Sequence, residues 1–70
     1  MKTVSIGMEG ITIHGEEVAS VDVTFNEGGL ITHIKAFTES GDIILNHSED
    51  EFTVESITLA GHIHNKLNKA

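Results

Sequence analysis

The residues best suited to chemistry in this chain are its five histidines and the carboxylates near them. His62-Ile63-His64 has the spacing closest to a ligand pair. On a strand both imidazoles would project from one face and could share Zn²⁺ or a similar ion with a third ligand, Glu55 or His47. On a helix they point ~200° apart and cannot chelate together. A second candidate is His33 with Asp22, a carboxylate and imidazole of the kind that orients a general base. A hydrolytic site also needs a positioned nucleophile and oxyanion donors, and no Ser or Thr stands in a strained, glycine-flanked elbow. His14 and His47 have no partner that the sequence identifies. Glu49-Asp50-Glu51 with Glu55 forms an acidic cluster, but the alternating oxygen ligands and central glycine of a calcium loop are missing, so the cluster reads as an acidic helix start. No catalytic residue, cofactor site or metal site is assigned; His62 and His64 remain the alternative for a metal- or small-molecule-binding domain.

Composition narrows the function classes further. The chain has 70 residues, no cysteine and a formal net charge of −7, from 11 acidic and 4 basic residues. One small domain spanning 1–70 is expected, and a domain of this size buries only about 60% of its unfolded surface. With no disulfide or zinc framework to add stability, close packing or a homo-oligomer is expected to supply it. The chain lacks arginine and its lysines are scattered at 2, 35, 66 and 69, so direct nucleic-acid binding is not expected. Glycine-rich phosphate loops are missing, and three phenylalanines without Trp or Tyr make a poor stacking platform. No apolar run is long enough for a membrane span or a signal peptide, so the expected location is cytoplasmic and no membrane association is expected.

The elements that would position these groups follow from hydropathy. Val4, Ile6 and Met8 alternate with polar or small residues, as do Ile11 and Ile13, and a Glu9-Gly10 turn would pair Ile6 with Ile13. A longer strand follows, with Val21, Val23 and Phe25 on one side and Asp22 and Thr24 on the other. Closing it at Glu27-Gly28 sets Phe25 against Leu30, Val23 against Thr32, Val21 against Ile34 and Asp22 against His33. A third hairpin through Ser40-Gly41 brings Leu45 beside Ala36 and Ile44 beside Phe37. Ile31, Phe37 and Ile44, with Val18, then form an apolar stripe on the outward face, expected to meet a subunit or partner.

From residue 48 the period changes. Ser48-Glu49-Asp50-Glu51 has the form of a capping box. Phe52, Ser56, Leu59, Ala60, Ile63 and Leu67 recur at helical steps, and acidic residues cluster before Lys66 and Lys69 as the helix dipole favours. Thr53, Val54, Ile57, Thr58 and Gly61 oppose the helix by propensity.

The expected architecture is therefore α+β: an antiparallel β-meander of about five short strands over 1–47, with one C-terminal α-helix and its tail over 48–70, the helix packed on a sheet face. The expected core is Val4, Ile6, Ile11, Ile13, Val21, Val23, Phe25, Leu30, Ile34, Leu45, Phe52, Leu59 and Ile63. The function expected from size and charge is that of a small acidic, non-enzymatic protein-binding module, a homo-oligomeric inhibitor or regulator of the kind carried by phage or other mobile elements. Such a module would occupy a basic or partly apolar surface on another protein, with Glu49, Asp50, Glu51 and Glu55 as its acidic surface.

Overall fold

A computed structural model describes residues 2–68, which form an α+β domain. Six strands, β1 (Lys2–Gly7), β2 (Thr12–Ile13), β3 (Glu16–Glu17), β4 (Ser20–Phe25), β5 (Ile31–Phe37) and β6 (Ile43–Ser48), precede a single 3₁₀ turn over Glu49–Glu51 and a helix, α1 (Val54–Asn68). The main sheet has the order β1-β4-β5-β6, and β2-β3 is a separate two-stranded ribbon. Both sheets are antiparallel.

The first hairpin differs from the sequence reading. β1 pairs with β4, setting Val4 against Val23 and Ile6 against Val21, rather than folding back on Ile11 and Ile13. The tight turn lies five residues later, at His14-Gly15, where both residues have positive φ, 53° and 79°. Two adjacent left-handed residues match the twist of a two-residue hairpin, and histidine tolerates that region better than most side chains. β2-β3 is therefore an insertion between β1 and β4, and the consecutive meander is confined to β4-β5-β6.

The second and third hairpins share one turn design. Gly29 N–H donates to Asn26 O at 3.0 Å and Asn26 N–H to Leu30 O at 2.9 Å, while Gly41 N–H donates to Thr38 O at 3.0 Å and Thr38 N–H to Asp42 O at 2.9 Å. Gly29 and Gly41 have φ of 82° and 89°, so each is the left-handed residue that ends a three-residue loop. This longer loop moves the β4-β5 register by two residues from the expected one: Val23 faces Ile34, Val21 faces Ala36 and Asp22 faces Lys35. A shift by two keeps every side chain on its face. Leu30, expected in the core, lies in the turn and is 67% exposed. Ala36 pairs with Leu45 as expected.

Val21, Val23, Ile34, Ala36 and Leu45 from the sheet meet Leu59 and Ile63 from α1 in one core, joined by Ile6, Met8, Ile13 and Val18. Val4, Ile11, Phe25 and Phe52, also expected inside, are half-buried and pack against it. Burial explains why α1 forms despite its composition. Val54 and Ile57 are 80% and 62% exposed, and glycine at 61 costs about 1 kcal/mol relative to alanine. Burying a residue the size of Leu59 or Ile63 returns roughly 1.5–3 kcal/mol each.

The helix starts five residues later than the Ser48 box suggests, at Val54. β6 runs through Ser48, and the box does not form as a helix cap: Ser48 Oγ donates to Glu51 Oε1 at 2.9 Å, with no side-chain cap bond from Ser48 to the turn that follows. The cap of α1 is Thr53, whose Oγ1 accepts from Ser56 N–H at 3.4 Å while Ser56 Oγ accepts from Thr53 N–H at 3.2 Å. This is a reciprocal box with serine in the place usually held by Glu or Gln. Lys69, placed by its sequence position near the helix C-terminus, lies outside the described residues.

Candidate binding groove

None of the histidine sites expected from spacing is assembled as a ligand set. His62 and His64 both lie within α1, which separates their imidazoles around the helix axis. Among the described residues no group of three His, Cys, Asp or Glu side chains is placed to hold a metal ion. The two-residue register change sets Asp22 opposite Lys35 and Thr24 opposite His33, so the Asp22–His33 couple does not form across the strands. His33 Nε2 instead meets Asn46 Oδ1 at 2.6 Å.

Two histidines whose partners the sequence conceals hold the first turn of α1. His14 Nε2 lies 3.3 Å from Glu55 Oε2, with both side chains substantially exposed. His47, cross-strand from Ile34, places Nδ1 in hydrogen-bond contact with Ser56 Oγ. The direction of that bond follows the imidazole tautomer. Ser56 is fully buried and its oxygen serves the cap, so it is not an accessible nucleophile. Every buried polar side-chain atom among the described residues has a partner.

The acidic cluster is divided. Glu49 and Asp50 are exposed on the 3₁₀ turn, Glu51 is tied to Ser48, and Glu55 is paired with His14. The hydroxyl and backbone N–H of Ser48 hold the Glu51 carboxyl below its ordinary value of 4.5, with His47 and His33 adding weaker attraction.

The expected outward stripe is largely dissolved by bulges. Val18 is 1% exposed and belongs to the core, so it presents no surface. Thr32 is the extra residue where the β4-β5 register slips, and Phe25 pairs with Ile31 beyond it. The slip turns Ile31 toward the core, against which it packs half-buried. In β6 the slip falls at Ile44, between the Ala36–Leu45 and Phe37–Ile43 pairs, and Ile44 likewise packs against the core. A bulge inserts one residue into one strand and re-aims its neighbours, and strict alternation in the sequence carries no mark of it. Phe37 alone of the four stays outward, opposite Ile43.

The structure instead gathers concavities along the link between β1 and β2. Met8 and Ile13 are each 5% exposed and anchor this link at both ends. Met8 N–H donates to Ala19 O at 3.0 Å and Val18 N–H to Ile11 O at 2.9 Å. Three adjoining hollows border it. One of about 130 Å³ is lined by Ile11, Thr12 and Ile13 against Val54, Glu55, Thr58, Leu59 and His62 of α1. The next, about 270 Å³, shares Ile11 and His62 and adds Met8, Glu9, Asn65 and Lys66. The third, about 370 Å³, shares Met8 and Glu9 and adds Glu17, Val18, Ala19 and Glu39.

In that third hollow three carboxylates from separate parts of the chain converge with no Lys among the lining residues. Ala19 N–H donates to Phe37 O at 2.8 Å, which brings the turn bearing Glu39 beside the end of β3 bearing Glu17. Neighbouring carboxylates without a counter-charge raise the local negative potential and favour an incoming cation. The groove is thus acidic at one end and apolar at the other. No signal in the sequence picks out Glu9, Glu17 and Glu39, because their meeting depends on the non-local β1-β4 pairing.

No protein-family model, curated protein or solved structure matches the chain. No helix among the described residues is long and apolar enough to cross a membrane.

Proposed function

We propose that this chain is a small acidic protein-binding module, without catalytic activity of its own, that acts in the cytoplasm as an inhibitor or regulator by occupying a partly basic, partly apolar segment of another protein. The observation that carries this reading is the graded groove along Met8–Ile13. Its Glu9, Glu17 and Glu39 end suits a Lys or Arg side chain. Its Ile11, Ile13 and Leu59 end suits an aliphatic one.

Shape suits a protein segment: three adjoining hollows run along Met8–Ile13 as an open groove, and the apolar one, about 130 Å³, is enough for one side chain. The net charge of −7 speeds encounter with a basic partner and makes the association sensitive to salt.

The test is an NMR titration of the full chain with a short peptide alternating lysine and leucine. The expected result is backbone amide shifts concentrated at Glu9, Ile11, Ile13, Glu17 and Glu39, weakening as salt is added. Shifts spread evenly over all acidic segments, or binding indifferent to salt, would overturn the reading.

A further inference from the structure

Among the described residues, α1 covers one face of the main sheet and no element covers the other. Along β4, β5 and β6 the residues facing away from the core include Asp22, His33, Lys35, Phe37, Ile43 and Asn46, and none of them is buried. Asp22 and Lys35 oppose each other across β4 and β5. Phe37 and Ile43 oppose each other across β5 and β6, with Ile43 52% exposed.

Charge distinguishes this face from the rest of the molecule. Of the 11 acidic residues, only Asp22 lies on it, and Lys35 matches it. Glu51, bonded to Ser48, borders one end, and Glu39 and Asp42 in the turn after β5 border the other. A chain at −7 repels its own copies over most of its surface. The bare sheet face, locally neutral, is where that repulsion is least.

We infer that this face is a contact between two copies of the chain. A basic partner would find no net complementary charge there, whereas a second copy finds self-complementarity. A two-fold axis lying in the contact plane, parallel to the strands and between β4 and β5, sets Lys35 of each copy toward Asp22 of the other and buries the Phe37–Ile43 corners, as the same patch on both subunits must do. Two antiparallel sheets then stack face to face in the manner of a sandwich. The hollows between Met8–Ile13 and α1 lie on the α1 side and stay open, and only Glu39 of the acidic hollow borders the contact, so the two surfaces are tested separately.

Sedimentation equilibrium of the full chain over a concentration series tests it. The wild type should reach twice the chain mass, and added salt should strengthen the association by screening the net charge, opposite to its effect on a basic peptide in the groove. Lys35→Asp and Phe37→Ser should each move the midpoint at least about tenfold to higher concentration, ~1.4 kcal/mol. The double change Asp22→Lys with Lys35→Asp should restore it, which separates lost complementarity from lost folding; circular dichroism checks the latter. A wild type that stays monomeric throughout, or a dimer indifferent to Lys35→Asp and Phe37→Ser, overturns the inference.

Discussion

His47 of β6 and Ser56 of α1 meet through Nδ1 and Oγ, linking the edge of the sheet to the fully buried residue that completes the helix cap. Ser56 Oγ also accepts from Thr53 N–H. One hydroxyl thus serves both the helix start and its docking on the sheet. Ser56→Ala should destabilise the fold by about 1–2 kcal/mol, through the lost cap bond and the polar groups left unpaired. Urea unfolding of Ser56→Ala, His47→Ala and the double variant should give a non-additive cycle with a coupling of at least ~0.5 kcal/mol. Strict additivity would show that the two side chains do not act together.

The turn after β4 makes a sharper distinction between two adjacent glycines. Gly29 has φ of 82°, which an alanine adopts at a cost of ~1–2 kcal/mol, although a Cβ there would meet nothing within 4 Å. At Gly28 a Cβ would touch only Asn26 Oδ1 at 3.4 Å, and restricting the unfolded chain offsets that contact by ~0.4–1 kcal/mol. Thermal unfolding should therefore find Gly29→Ala clearly destabilised and Gly28→Ala close to wild type. Equal losses would mean that crowding, not backbone conformation, governs the turn.

Acid should loosen the segment between β6 and α1. Hydrogen bonds from Ser48 depress the Glu51 carboxyl below 4.5 in the folded chain, so the ionised form is favoured by folding. The contribution is present above the unfolded value and is lost as pH falls through the folded one. An NMR titration should place the Glu51 midpoint below 4.5, and Ser48→Ala should raise it. In Glu51→Gln this part of the acid sensitivity should be gone. A midpoint unchanged by Ser48→Ala would remove the stated cause.

Much of the fold is legible in the sequence where the contacts are local. Val21, Val23, Ile34 and Ala36 alternate cleanly, and the three- and four-residue steps of Ser56, Leu59 and Ile63 select the buried face of α1. Elements whose ends depend on distant partners are less so. Glu9-Gly10 looks as turn-like as His14-Gly15, and only the pairing of β1 with β4 decides between them. The Thr53–Ser56 cap is obscured because serine replaces the usual carboxylate or amide, while Ser48–Glu51 supplies a convincing box that nucleates only a 3₁₀ turn. The acidic surface expected at residues 49–51 and 55 is continuous in sequence. Glu9, Glu17 and Glu39, which line the groove, belong to a link, a strand and a turn that only the folded chain brings together.

The most direct test of the proposed function compares two triple variants of identical charge. Glu9→Gln, Glu17→Gln and Glu39→Gln together should weaken binding of the lysine and leucine peptide by about tenfold or more, ~1.4 kcal/mol. Glu49→Gln, Asp50→Asn and Glu51→Gln together should leave it within about twofold, as exposed charges away from the contact contribute little. Both variants remove three negative charges, so equal losses of affinity in isothermal titration would show that net charge alone attracts the peptide and would contradict a groove built for it.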